Sequence, residues 1–125
     1  MNKKLRIKVY NKYNGRCSYC GRKIEYEDMQ VDHLIPQRMF NVYRVEGINK
    51  FSNLMPSCRR CNHYKRAETL ETFRHNLITL HERIMKNYIC KVGVDFGIVE
   101  IKVFDGIFYC ERFEKRNSRT QNEDK

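Results

Sequence analysis

Two cysteine pairs of the same spacing, Cys17-Ser-Tyr-Cys20 and Cys58-Arg-Arg-Cys61, bracket an Asp32-His33 dipeptide and Asn53, and Asn62 follows the last cysteine directly. Cysteines three apart, with Gly21 after the first pair, bring their sulfurs to one point at a tight turn. That is half of a tetrahedral zinc site, and the second pair completes it. A lone Cys-x-x-Cys also serves redox chemistry, but in a βαβ context that is absent around these pairs. Asp, His and Asn suit a metal with a hydrolytic task. Magnesium or manganese takes oxygen ligands and keeps several of its waters. A neutral imidazole, with a reference pKa of ~6.5, takes a proton from water at cellular pH. One carboxylate and one amide oxygen serve one such cation rather than two, so these residues favour a one-metal hydrolysis. The plain alternative, a surface Asp beside a packed histidine, would win for an isolated pair.

The charge names a class of partner. The 125-residue chain carries a formal +10. Residues 1–66 hold 15 Lys and Arg against 5 Asp and Glu, while residues 67–125 hold 10 of each, so the excess lies where the motifs lie. A generally basic solubility surface would spread along the chain. A concentrated one fits a polyanion such as nucleic acid. Six cysteines without a secretory apolar segment suit a reducing compartment. No run approaches the ~20 apolar residues of a membrane helix. The expectation is a cytoplasmic protein with no membrane partner.

Those residues need elements to position them. Residues 3–13 alternate basic and apolar side chains, and the periodicity admits a strand or a helix; a short helix with its basic side toward nucleic acid is favoured. Residues 24–35 read as a strand with Met29, Val31 and His33 on one face and Gln30 and Asp32 on the other. Residues 37–52 interleave Arg38, Arg44 and Lys50 with aromatic and apolar groups. They suit a phosphate-contacting connector and an ordinary amphipathic one equally. Arg59, Arg60, Lys65 and Arg66 add four cations around a helix that starts near Cys61. Residues 67–88 repeat apolar side chains at helical spacing, with His75 and His81 unsuited to act as a ligand pair. Residues 98–113 carry an Asp105-Gly106 hairpin signal between apolar runs. Residues 114–125 read as a disordered polar tail. Cys90 and Cys110 read as buried apolar side chains.

The series Cys17-x2-Cys20, Asp32-His33, Asn53-Leu54, Cys58-x2-Cys61-Asn62-x2-Lys65 resembles the HNH endonuclease family in its four-cysteine, zinc-binding form. The resemblance covers roughly residues 5–66. It implies a ββα-metal core, two strands and a helix around one catalytic cation. The expected fold is therefore α+β: a nuclease core over 1–66 stapled by zinc, then a helix and β-hairpin extension over 67–113 packed on that core, then the tail. By resemblance His33 is the general base, Asn53 orients the segment bearing it, and Lys65 is a basic position that contacts the scissile phosphate. Asp32 and Asn62 are the ligands of catalytic Mg2+ or Mn2+. His63 is the second choice for the last ligand, since Asn62 stands where the family's name has histidine. Cys17, Cys20, Cys58 and Cys61 hold structural Zn2+. The remaining cations, Arg38, Arg44, Lys50, Arg59, Arg60 and Arg66, look like nucleic-acid contacts. The implied activity is hydrolysis of phosphodiester bonds, with double-stranded DNA the first choice of substrate. A phage or mobile-element setting, and a homodimer or a specificity-giving protein partner, are further expectations. The alternatives are a zinc-stapled binding module without turnover and a nuclease for RNA or branched DNA.

Overall fold

The basic run near the start forms a helix because Asn2 caps it. The Asn2 side chain accepts from the Leu5 N–H at 2.8 Å, satisfying one of the four amides a helix leaves open at its first turn. The structure, a computed structural model, describes residues 1–39 and 47–123, with side chains only as far as 117 at the far end. It is α+β. In chain order it holds α1 (Lys3–Asn11), β1 (Gln30–His33), β2 (Leu54–Ser57), α2 (Arg59–Lys65), α3 (Leu70–Ile78), α4 (Leu80–Ile84), α5 (Tyr88–Asp95) and α6 (Tyr109–Glu123). No helix among the described residues is long and apolar enough to cross a membrane.

The chain divides into two compact units, Met1–Thr69 with Phe108–Lys125, and Leu70–Ile107. In the first, β1 and β2 pair antiparallel, with Gln30 opposite Ser57, Val31 opposite Pro56, Asp32 opposite Met55 and His33 opposite Leu54. Its core is Val9, Tyr13, Cys17, Tyr19, Ile24, Met29, Leu54, Met55, Phe108 and Cys110. Two cations, Arg6 on α1 and Lys12 just after it, turn inward rather than outward. Arg6 donates to the carbonyls of Tyr26 and Met29 at 3.0 and 2.9 Å, just before β1. Lys12 donates to Phe51 and Leu54 carbonyls at 2.9 and 3.0 Å, closing the 3₁₀ turn Phe51–Asn53 that leads into β2. Burial pushes the Lys12 ammonium below its ordinary pKa, the cost of using a lysine this way.

The second unit holds α3, α4 and α5. The single helix expected over 67–88 is interrupted at Thr79, whose φ/ψ of −95°/0° leaves the helical region. Thr79 Oγ1 donates back to the His75 carbonyl at 2.9 Å, a local bond that competes with helix propagation. Asn87 then caps α5 through Cys90 N–H at 3.1 Å. Cys90 is half-buried rather than buried.

The β-hairpin expected over 98–113 is not there. Its turn has formed locally, with Gly106 at φ +85° and Asp105 Oδ1 accepting from Ile107 N–H at 3.0 Å. Its second arm is helical from Tyr109 onward. Phe108 N–H donates to Glu111 Oε1 at 2.9 Å, a helix-start bond. Tyr109 and Cys110 N–H groups bond the carbonyls of Tyr19 and Ser18 at 3.1 and 2.7 Å. With those amides committed to the first cysteine turn, none is left for a ladder with residues 98–103. The same helix occupies the stretch expected to be a disordered tail, as far as Glu123.

Candidate metal and acid–base site

The first cysteine pair sits on a turn closed by Gly21 N–H to Cys17 O at 3.0 Å and Cys17 N–H to Arg22 O at 2.9 Å. Gly21 has φ +79°, and a Cβ there would meet the Tyr109 ring at 2.9 Å, so only glycine fits the turn. Ser18 ties this turn to β2 through two bonds to the Pro56 carbonyl, from its N–H at 2.9 Å and its hydroxyl at 2.7 Å. The second pair begins α2, where Cys58 is the N-cap and its sulfur accepts from Cys61 N–H at 3.4 Å.

All four sulfurs lie within 4.8 Å of one another, with no disulfide. Cys20 and Cys58 sulfurs are 3.9 Å apart. Four thiolates ~2.3 Å from a tetrahedral zinc stand about 3.8 Å apart, so the cage has the size zinc requires. Its electrostatics agree. Hydrogen bonds from Cys20 and then Cys61 pull the Cys17 thiol well down, while Cys20 and Cys61 are pushed up, chiefly by Cys17. A divalent cation binds the deprotonated sulfurs, so its arrival would release the protons these thiols hold. These cysteines are positioned to hold one metal ion.

Asp32 is 8% exposed on β1. Its Oδ2 accepts from the Tyr19 hydroxyl and pairs with the Lys65 ammonium at 2.9 Å. Lys65, 2% exposed, also donates to the His33 carbonyl at 3.3 Å. The phosphate contact that resemblance implied for Lys65 is not open to it, because the ammonium is buried against Asp32. Among the described residues nothing bonds Oδ1 of Asp32. Burial, and then the Asp32 charge, push the Tyr19 hydroxyl far above its ordinary pKa, so it stays a donor. Asn62 lies three residues before Lys65, on the face of α2 that Lys65 turns toward β1, and is half-buried, whereas His63 is exposed. Of the two candidates for the last ligand, Asn62 stands on the side of Asp32.

His33 stands half-exposed at the end of β1, with Nε2 3.0 Å from Asn49 Oδ1. Asn53 is buried. Its side chain accepts from Ile35 N–H at 2.7 Å and donates to the carbonyls of Ile35 and Ile48 at 3.2 and 2.8 Å. It thus pins both ends of the segment between them and touches no solvent-facing chemistry. Arg38 is tied to the segment after α2, by Nε to Ala67 O at 3.0 Å and an exposed ion pair with Glu68 at 3.1 Å. Lys50, Arg59, Arg60 and Arg66 are exposed. Arg44 lies outside the described residues.

Sequence reasoning missed Tyr19 and Asn49. Tyr19 carries no signal beyond lying inside the first cysteine pair. Asn49 lies in a polar turn where an asparagine is unremarkable. It also missed Arg22, which lies beside Cys58 in an open groove of about 420 Å³ lined as well by Lys23, Arg59, Glu25, Glu27 and Asp28.

The family model for HNH endonuclease matches residues 17–68, the stretch that holds both cysteine pairs, Asp32, His33, Asn53 and Asn62. The chain is also 33% identical over 78 residues to YoqL, the SPbeta prophage-derived candidate HNH endonuclease of Bacillus subtilis (strain 168). That match covers 59% of this chain and 34% of the relative, so the chain spans about a third of the relative it matches. No solved structure matches the chain significantly. Over residues 17–68, then, this chain is similar to the HNH endonuclease family.

Proposed function

We propose that the protein is a divalent-metal-dependent endonuclease that hydrolyses phosphodiester bonds in double-stranded DNA, with His33 as general base. The observation that carries this reading is the asymmetry at Asp32, where Lys65 and Tyr19 hold one carboxylate oxygen and nothing among the described residues bonds the other. That free oxygen and the Asn62 amide oxygen are the atoms that would hold Mg2+ or Mn2+, a hard cation served by oxygen ligands. Bound there, the cation would relieve charge on the phosphate and on the leaving oxygen.

The chain's own residues supply the rest. The His33 imidazole takes a proton from water as the water oxygen bonds to phosphorus and the bond to the leaving oxygen breaks. Lys65 and Tyr19 fix the carboxylate, and Asn53 fixes the main chain at Ile35 and Ile48. The cysteine cage ties residues 17–20 to 58–61. It therefore holds β1 and α2 in register, where a ~1 Å displacement costs about a hundredfold in rate. Lys50, Arg59, Arg60 and Arg66 are exposed and would meet backbone phosphates, which position a protein without choosing a sequence. The YoqL match supports a prophage-like role, and a second subunit or partner would supply sequence choice.

The test is cleavage of supercoiled plasmid with Mg2+ or Mn2+ by wild type and His33→Ala, with zinc content measured in both. Cutting by wild type alone, zinc equal, supports the reading. Equal cutting by both removes His33 from catalysis. Salt-sensitive binding of plasmid with no cutting by either would favour a binding module without turnover.

A further inference from the structure

A general base needs its lone pair on the nitrogen that faces the water, and a neutral imidazole has two tautomers. We propose that Asn49 is the positioning residue that selects the tautomer and ring orientation of His33, holding the proton on Nε2 and leaving Nδ1 as the basic atom. This deepens the nuclease reading and rests on His33 being the base.

The geometry points one way. Asn49 Oδ1 lies 3.0 Å from His33 Nε2. A carbonyl-type oxygen only accepts, so the nitrogen facing it carries hydrogen. The other nitrogen, Nδ1, has no hydrogen-bond partner among the described residues. An exposed asparagine on a free loop would not hold such a bond against water, but this one is braced on both sides. The carbonyl of Ile48 accepts from the Asn53 side chain at 2.8 Å. The carbonyl of Lys50 accepts from the Asn53 N–H at 2.9 Å, and Lys50 N–H in turn donates to Gly47 O at 3.0 Å. The two neighbours of Asn49 are thus both fixed by Asn53. Leu34 N–H donates to Asn53 O at 2.9 Å, which ties the residue after His33 to the same anchor. A buried asparagine sets the backbone, an exposed asparagine reads it out onto the imidazole, and the two roles are separate.

The experiment uses the zinc-loaded full chain. Nitrogen-15 NMR at about pH 8, above the ordinary imidazole range, identifies the protonated nitrogen of His33, with His33→Ala giving the assignment. Asn49→Leu keeps the side-chain shape and removes the acceptor, while Asn49→Asp restores an oxygen at the same place. The expected result is an Nε2-protonated ring in wild type, loss of the slowly exchanging Nε2 proton in Asn49→Leu, and its return in Asn49→Asp. Cleavage should fall about 10- to 100-fold in Asn49→Leu, the usual cost of losing a partner that orients a functional imidazole, and recover in Asn49→Asp. An Nδ1-protonated ring in wild type, or an Asn49→Leu variant with the wild-type spectrum and rate, overturns the proposal. The nuclease reading fails separately, when His33→Ala cuts as wild type does, and the NMR result stands on its own in either case.

Discussion

The two units of the chain differ in burial more than in bond type: Arg74 and Arg83 bond the carbonyls of Gly106 and Asn76 in the second unit, but only the first closes such bonds around a large buried core among the described residues. In the unit formed by Met1–Thr69 and Phe108–Lys125, cations point inward and spend their N–H groups on main-chain carbonyls. Arg6 holds Tyr26 and Met29, Lys12 holds Phe51 and Leu54, and Lys65 holds His33 beside the Asp32 carboxylate. In Leu70–Ile107 the buried residues are Phe73 and Gly93, and Tyr88, Ile89, Phe96 and Ile98 are 79–80% exposed. Those 38 residues hold five charges of each sign, so the whole +10 lies in the other unit. Apolar burial has no direction, whereas a hydrogen bond weakens steeply as it bends. A site that must place an imidazole and a carboxylate to a fraction of an ångström therefore belongs in the first kind of unit.

The comparison breaks most severely at the cysteine cage. Zinc bound there is worth on the order of 10–16 kcal/mol of apparent folding energy in small domains. Cys58→Ser is expected to lose zinc and to unfold the first unit. Hydrogen exchange should show amides of residues 17–65 unprotected, with those of 70–107 changed far less. A zinc-free variant with wild-type circular dichroism and protection would show that the inward cations alone hold the site.

Lys65 comes next. Lys65→Met leaves the Asp32 carboxylate buried without its partner, expected to cost about 3–5 kcal/mol in urea unfolding of the zinc-loaded chain. Adding Asp32→Asn should recover most of that loss while leaving cleavage abolished. Recovery of stability without activity separates the structural cost of the pair from its functional use. Asn53→Leu is expected to cost about 1–3 kcal/mol, since it strips partners from the Ile35 and Ile48 main chain. It should slow cleavage more than Asn49→Leu does, because it frees both neighbours of Asn49 at once.

The first unit should also be the alkali-sensitive one. Burial, and then the Glu114 charge, hold the Cys110 thiol up to about 12 against an ordinary 9.0, and Tyr13 and Tyr19 are pushed up as well. A folded state that keeps protons the unfolded chain releases is fully favoured below about pH 9 and loses that advantage as pH climbs toward 12. Urea midpoints measured from pH 8 upward should fall, and Cys110→Ala should fall less steeply.

The contrast between units also explains what the sequence could reveal. The cysteine spacing, the Asp32-His33 strand, α1 and α2 are local patterns, and the cage and strand pairing follow from them. The inward cations are not local: Lys12 meets Leu54 across 42 residues and Lys65 meets Asp32 across 33, and no spacing rule separates them from surface lysines. The failed hairpin has the same cause. Asp105-Gly106 does turn the chain, but Tyr109 and Cys110 bond the carbonyls of Tyr19 and Ser18 some ninety residues earlier. Alternation in residues 107–113 serves a helix start as well as a strand, and only that distant contact decides between them.

The smallest expected effect tests the other side of the comparison. If Phe96 and Ile98 meet water in the working protein, replacing them removes nothing from the fold. Phe96→Ser and Ile98→Ser should then each shift stability by no more than about 0.5 kcal/mol, with a melting temperature independent of protein concentration. A loss of more than about 1.5 kcal/mol, on the scale of an apolar side chain taken out of water, would mean that the face is covered in solution. A melting temperature that rises with protein concentration in wild type, and ceases to do so in the variants, would assign the cover to a second copy. In that case the neutral unit would be ordered by association, and the +10 of the other unit would be left free for a polyanion.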